Sequence, residues 1–486
     1  MKKVIVRRIH RVEAGTSMKK AALINAMGKY SKIFLSLIVN AVLARILSAE
    51  DYGIVAIITV FSTFFTTFSD MGFGAAIIQN KDLTSEDINS IYSFTVYVSV
   101  VLMLIFAICS FPIASFYDNN IYIPLGQLLS ISLLFNALNM VPNGILNRDK
   151  KFVSIAIRTV IVYVGAAIIT LILAFMGLRY YALVIQSILT ALLTFVWNYA
   201  STRPKFHLRF KIESIKKVMN YSGYQFAFNL VNYFSRNLDN LLTGKFMGSA
   251  ELGYYNKAYS LMLYPVNNLT GVISPVLHPI LADYQKQLDV IYKKYMKIVR
   301  LLACIGLYVA PVCLLAAGEI ITILYGPNWE KSVVCFQLLA VAIVPQMINS
   351  SAGSIFQAIG NTKLLFANSC INTGITVIAI IVGVFGGKSI QSLSLCVAVA
   401  YLCHFGTAFF MLIKMGFKYK MSSFVKELMP ELFILVVMLI AVRLYPLHIT
   451  GTIISATVKC MYLGIIYAVA LFLSKEYKLF ASLLKR

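Results

Sequence analysis

The 486-residue chain is 59% hydrophobic and 13% charged, with a mean hydropathy of +0.80. A soluble domain has no means of covering that much apolar surface, so the composition defines an integral membrane protein. The net charge of +24 would suit nucleic acid, but the surplus Lys and Arg stand in short segments between apolar runs, where they serve topology and anionic headgroups; nucleic acid is excluded as a partner.

Residues 1–21 are a basic segment (Lys2, Lys3, Arg7, Arg8, Arg11, Lys19, Lys20) with neither the apolar core nor the cleavage site of a signal peptide. Met18 opens MKKAALINAMGKYSK, which reads as a start, and 1–17 are expected to be a dispensable extension. About fourteen apolar runs of bilayer-spanning length follow: 22–47, 53–77, 91–112, 121–142, 153–176, 179–200, 218–246, 254–281, 297–317, 332–358, 363–385, 390–413, 428–446 and 451–473. The first, seventh and eighth are the most polar. The expected fold is all-α: an N-lobe of six helices (22–200), a basic connector (201–217), a C-lobe of six (218–415), a C-terminal helix pair (428–473) and a tail (474–486).

Charge orients these spans. Segments placed inside hold Arg148, Lys150 and Lys151; Arg203, Lys205, Arg209, Lys211, Lys216 and Lys217; Lys286, Lys293, Lys294 and Lys297; and Lys414, Lys418, Lys420 and Lys426. The opposite side holds Arg179, Lys245, Lys331, Lys388 and Arg443 singly. That asymmetry predicts both termini in the cytoplasm. The loop 78–90, with Lys81 against Asp82, Glu86 and Asp87, is silent. No outside loop exceeds about 15 residues, which leaves no room there for a folded catalytic unit. The connector, STRPKFHLRFKIESIKK, alternates basic and apolar residues and is expected to lie on the headgroups as a topology anchor. Eight cysteines lie within apolar runs without metal or redox spacing, so no cofactor is expected.

The stretch 221–259 carries the strongest signal. Gln225, Asn229, Asn232, Arg236 and Asn240 recur three or four apart and form one polar stripe on a helix. An arginine or aspartate facing lipid at mid-membrane costs on the order of 2.5–3.5 kcal/mol, so the stripe must face protein or a wet cavity. Shifted by about 200 residues, the chain partly overlays itself: LARILSAEDYG (43–53) matches LTGKFMGSAELG (242–253). Six spans separate the copies, which makes the repeat parallel, a transporter architecture. Span 1 then carries the matching stripe, with Asn25, Lys29, Lys32, Ser36 and Asn40 in register with the second, and the two are expected to line a central cavity. Arg45 and its mate Lys245 point elsewhere and read as interfacial anchors. Further candidates are Thr59, Thr63, Thr66 and Asp70 on span 2, Arg158 on span 5, where a cavity role competes with snorkelling, and Lys257 on span 8.

Walker, HExxH and Gly-x-Ser-x-Gly sequences are absent, and no enzyme is expected. Lys29, Lys32 and Arg236 suit phosphate oxygens, while amides and tyrosines suit sugar hydroxyls, so an anionic, sugar-bearing substrate is inferred. Asp239, three residues from Arg236, either neutralises it or serves ion coupling; Asp70 is a proton or sodium candidate.

The run SRNLDNLLTGKFMGSAELGYYNKAY, with LARILSAEDYG, GFGAAIIQ and the GNTK turn at 360–363, resembles the Wzx-type polysaccharide flippases of the multidrug/oligosaccharidyl-lipid/polysaccharide exporter superfamily, over roughly residues 18–475. The resemblance implies two lobes about a cationic cavity and alternating access in the bacterial inner membrane. It implies an undecaprenyl-diphosphate-linked oligosaccharide, turned to the periplasmic leaflet for O-antigen or capsule assembly, and dealings with membrane lipids and with polymerase or chain-length proteins of the pathway. It also suggests that spans 13 and 14 hold a groove for the lipid tail. Two alternatives stay open: a polymerase or ligase of the same pathway, which should carry a large periplasmic loop, and a drug exporter, which should present an acidic cavity.

Overall fold

A computed structural model describes residues 18–70, 73–80, 82–216, 233, 236–270, 281, 284–285, 287–447 and 449–484. Every regular element among them is helical, and they divide into two compact units, Met1–Ala250 and Glu251–Arg486.

The first unit holds α1 (Met18–Ile46), α2 (Ala49–Asp70), α3 (Phe73–Gln79), α4 (Ser85–Tyr117), α5 (Tyr122–Leu138), α6 (Met140–Arg148), α7 (Phe152–Phe175) and α8 (Tyr180–Thr202). Its helices are inverted relative to those of a soluble protein. On α4, Ser90, Ser93, Thr95, Ser99 and Ser110 are buried, whereas Val101, Leu104, Ile108 and Phe111 are exposed. Lipid solvates large apolar side chains, so contacts between helices go to small residues that let backbones approach. The α4–α5 hairpin shows this: a Cβ on Gly126 would lie 2.6 Å from Ser110 Cβ. Likewise α1 crosses α7 where a Cβ on Gly28 would lie 2.8 Å from that of Ala156.

Two helix starts explain sequence features that charge counting left idle. In SAED, Ser48 Oγ accepts from the Asp51 amide at 3.2 Å, and Asp51 Oδ2 accepts from the Ser48 amide at 2.9 Å, a capping box opening α2. Arg179 forms an ion pair with the other oxygen of Asp51, Nε to Oδ1 at 2.9 Å. In TSED, Thr84 and Asp87 cap α4 in the same way, which is the work of an acidic residue in the silent loop 78–90.

The connector is strapped along α4. Asn89, Ser93 and Tyr97, spaced by four, bond the Lys205 amide (2.8 Å), the His207 amide (2.9 Å) and the Leu208 carbonyl (3.0 Å). Ser214 donates to Asp87 at 2.6 Å, and Lys211 pairs with Glu86 at 2.7 Å, a hydrogen bond that raises the Lys211 pKa. The polar stripe of α4 thus satisfies the backbone of an extended segment, while Leu208 and the described cations of the connector, from Arg203 to Lys216, stay exposed.

The second unit holds α9 (Ser249–Thr270, which begins at the boundary), α10 (Leu288–Leu315), α11 (Ala317–Tyr325), α12 (Lys331–Ala340), α13 (Ile343–Asn349), α14 (Ala352–Ala358), α15 (Thr362–Ile381), α16 (Ile390–Phe410), α17 (Met421–Glu427), α18 (Met429–Arg443), α19 (Thr452–Leu473) and α20 (Tyr477–Leu484). The C-terminal pair α18–α19 packs against α10. Ile434, Met438, Ala441, Leu463 and Ala470 form one core with Cys304 and Leu307 of α10.

Among the described residues, 10 helices are long and apolar enough to cross a membrane, and they coincide with expected spans 1–6, 9, 11, 12 and 14. A pair bent by 50°, Lys331–Ala340 with Ile343–Ala358, covers the tenth. Span 8 forms helix α9, which is more polar, and span 13 forms α18, which has only 15 residues. Most of span 7 lies outside the described residues. Its described part is tied into the first unit: Tyr233 donates to the Val60 carbonyl, Tyr117 donates to the Leu241 carbonyl at 3.1 Å, and Lys245 pairs with Asp118 at 2.6 Å. The division at Ala250 therefore falls one span beyond the connector where the sequence reading parts the lobes.

Candidate functional site

The first unit holds a partly open cavity of about 490 Å³, within the usual range of small-molecule sites. Its walls are built from helical stripes. From α1 come Lys32, Ser36 and Asn40, at the spacing that the sequence singles out. Helix α2 adds Thr59, Ser62, Thr63 and Thr66, including the three threonines expected there. Four-residue steps on two further helices complete the polar wall: Ser132 and Asn136 on α5, Gln186 and Thr190 on α8, with Ser187 beside them. Tyr163 of α7 lies under Lys32, whose Nζ is 5.9 Å from the ring centroid.

These polar groups are mostly committed as donors within the protein. Ser36 donates to the Ile33 carbonyl (2.8 Å), Asn40 to that of Ser36 (2.8 Å) and Thr66 to that of Ser62 (2.9 Å). Asn136 donates to Ser132 Oγ, and Ser132 to the Ser187 carbonyl, each at 3.3 Å. A hydroxyl that gives its proton to its own helix keeps lone pairs for a guest, so the walls present acceptors. Lys32 is the charged residue among the described lining, which includes no carboxylate. The cavity therefore combines one ammonium with a hydroxyl- and amide-rich wall, a match for an anion bearing donor hydroxyls.

The remaining candidates fall in several places. Lys29, one turn from Lys32, is exposed and is not part of the cavity lining. Asn25 lies on α1 and Asp70 ends α2, but their side chains, like Gln225, Asn229 and Asn232 as a whole, lie outside what is described. Arg236 is exposed, Asn240 half-buried and Asp239 buried, with Asp239 Oδ1 accepting from the Asn240 amide at 2.8 Å; none lines the cavity. Arg158 neither lines the cavity nor snorkels. It is buried, donating to Asn198 at 2.6 Å and to Asn143 at 3.3 Å, while Asn198 donates to Asn139 at 2.7 Å. Lys257 belongs to the second unit, where it is buried beside Tyr325 and Trp329, 5.1 and 5.8 Å from their centroids. The expected anchors are engaged at their own spans: Arg45 with the Ala41 carbonyl (2.9 Å) and Lys245 with Asp118.

The sequence reading missed Ser132, Asn136, Tyr163, Gln186, Ser187 and Thr190. The pairs 132/136 and 186/190 are one-turn repeats of polar residues within apolar spans, the same signal that exposed the α1 stripe, but without a charge to attract notice.

This is a helical, cavity-bearing membrane body. The family model described as "Polysaccharide biosynthesis protein" matches residues 42–334, more than half of the chain, and the chain belongs to that family. It is 26% identical over 299 residues to the teichuronic acid biosynthesis protein TuaB of Bacillus subtilis, covering 61% of this chain and 62% of TuaB. It is 23% identical over 360 residues to the lipopolysaccharide biosynthesis protein WzxC of Escherichia coli, covering 72% of each. Among solved structures, the lipid II flippase MurJ in an inward closed conformation superposes with a TM-score of 0.76, at 14% identity, over 94% of this chain and 99% of MurJ. An inward-facing MATE-family multidrug transporter of the MOP superfamily gives 0.64 at 14% identity, over 81% of this chain and 98% of its own. The fold is thus the one shared by these MurJ and MATE structures, and the chain is a multi-pass membrane protein.

Proposed function

We propose that the chain is a flippase that turns lipid-diphosphate-linked oligosaccharide repeat units across the bacterial inner membrane, by alternating access, for surface polysaccharide assembly. The observation that carries this reading is the cavity wall, in which Lys32 stands without a described carboxylate among acceptor-rich Ser, Thr, Asn and Gln side chains. Lysine serves a diphosphate as a point charge, and the acceptors serve sugar hydroxyls. An organic cation would find no counter-charge among the described lining. Lys29 and Arg236 are assigned to the same diphosphate, and Gln225, Asn229, Asn232, Asn240 and Asn25 to sugars. Asp70 or Asp239 is assigned to ion coupling, and both termini to the cytoplasm.

The test is complementation of surface glycan in a strain lacking its own flippase, with membrane levels matched. Lys32→Ala and Arg236→Ala should abolish or sharply reduce glycan, Lys32→Arg should retain part of it, and Arg45→Ala should behave as the parent. Parental glycan from Lys32→Ala would remove the cationic cavity as the substrate site.

A further inference from the structure

Outside the cavity, the charges of the second unit that close the C-terminal helix pair onto α10–α11 form two clusters. One is balanced: Glu319 accepts from Lys459 at 2.5 Å and from Ser455 at 2.7 Å. The other is not. Arg300 of α10 donates through Nε to Glu431 Oε1 at 2.9 Å and through Nη2 to Glu476 Oε1. Glu431 stands in the first turn of α18 and Glu476 between α19 and α20, so three segments distant in sequence meet on one guanidinium. The glutamates are 4% and 2% exposed, and donor atoms of Glu431, Glu476 and Cys304 all lie within 4.8 Å of one another. Oε2 of Glu431 and Oε2 of Glu476 are both buried with no hydrogen-bond partner among the described residues.

With both carboxylates ionised, this cluster is one positive charge short. Among the described residues, the titratable groups facing it are Arg300 and Cys304 from α10, Glu431 from α18, Glu476, and Tyr467 from α19, whose hydroxyl is spent on the Cys304 carbonyl at 2.6 Å. None supplies a second cation. Two like charges this close in a dry setting do not both stay ionised. A metal ion fits poorly, because hard cations seek six or more oxygens and a guanidinium already contacts the same carboxylates. A proton meets the charge deficit without added volume and turns one orphaned acceptor into a donor.

We propose that Glu431 and Glu476 share one bound proton, and with Arg300 form a proton-dependent latch that holds α18–α20 to α10. Uptake transfers a proton from hydronium: one hydronium O–H bond breaks to leave water, and one carboxyl O–H bond forms. Release sets the two carboxylates against each other and loosens the segment leading into α20. The inference does not depend on the substrate assigned to the cavity.

The test uses the full-length protein in nanodiscs, with Glu431→Gln and Glu476→Gln, and reads the infrared C=O band of a protonated carboxyl together with hydrogen exchange across α20, normalised at each pH to the intrinsic base-catalysed amide rate. The parent should show the band at neutral pH and lose it as pH rises, with exchange across α20 quickening in step. A proton held only by the folded cluster stabilises it at low pH, and that contribution is lost as pH rises and the proton leaves. Either glutamine variant leaves one carboxylate for one guanidinium, and should lose both the band and its pH dependence. The latch is overturned if the parent lacks the band, if the band survives in both variants, or if exchange across α20 responds to sodium instead of pH. Should the variants fail to insert, the parent's own titration decides: flat exchange from acid to alkaline pH rejects the proposal.

Discussion

Lys32 and Arg158 are both cations within the first unit, yet their surroundings assign them opposite roles. Lys32 faces open volume, with an aromatic face as its nearest described partner, so its charge is available to a guest. Arg158 is consumed by amide oxygens, the nearer being Asn198 at 2.6 Å. Removing that acceptor strands a buried guanidinium. Asn198→Ala should therefore lower stability by about 1.5–3 kcal/mol, the worth of a hydrogen bond to a charged group, as read by thermal unfolding in detergent. Lys32→Ala should leave the unfolding midpoint near that of the parent, because an exposed lysine in a wet cavity has little packing to lose.

Elements are held together here by close backbone approach and by caps, since lipid removes the hydrophobic drive between helices. Gly53, at the end of the first copy of the repeated motif, would place a Cβ 1.7 Å from the Ser249 carbonyl, within the Ser-Ala-Glu of the second copy. Gly53→Ala must separate those backbones and should cost about 1–3 kcal/mol, measured as a lower unfolding midpoint with reduced membrane yield. The connector offers a second test. Asp87 both caps α4 and receives Ser214, so Asp87→Ala should release the strap and expose 203–216 to protease. Loss of the cap alone is worth about 0.5–2 kcal/mol; Ser214→Ala, which spares the cap, should increase cleavage with a smaller loss of stability.

For the whole molecule, the C-terminal pair is the decisive part. It shares a core with α10 and is closed by Arg300 with Glu431 and Glu476, and by Glu319 with Lys459. Truncation before α18 would leave Arg300 and Glu319 without these partners and uncover the apolar face of α10. Such a protein should accumulate poorly or unfold at lower temperature than the parent, measured in membranes at matched expression. Accessibility labelling of single cysteines at the two ends of the chain should place both on the cytoplasmic side, as the Lys and Arg asymmetry demands.

Membrane residence, the helical class, most spans and the stripe Lys32–Ser36–Asn40 were legible in the sequence, because hydropathy and the 3.6-residue period are local properties of a chain. SAED and TSED were visible as letters; their service as caps needed helix starts to be placed. The remainder of the cavity wall was not legible. Ser132, Asn136, Gln186 and Thr190 are ordinary polar residues until α5 and α8 bring them opposite α1 and α2. The burial of Arg158 among asparagines, and of Glu431 and Glu476 against Arg300, likewise depends on segments far apart in the chain. Local periodicity determined which faces of the helices are polar; only tertiary packing decided which of those faces enclose a cavity, which satisfy one another, and which are left a charge short.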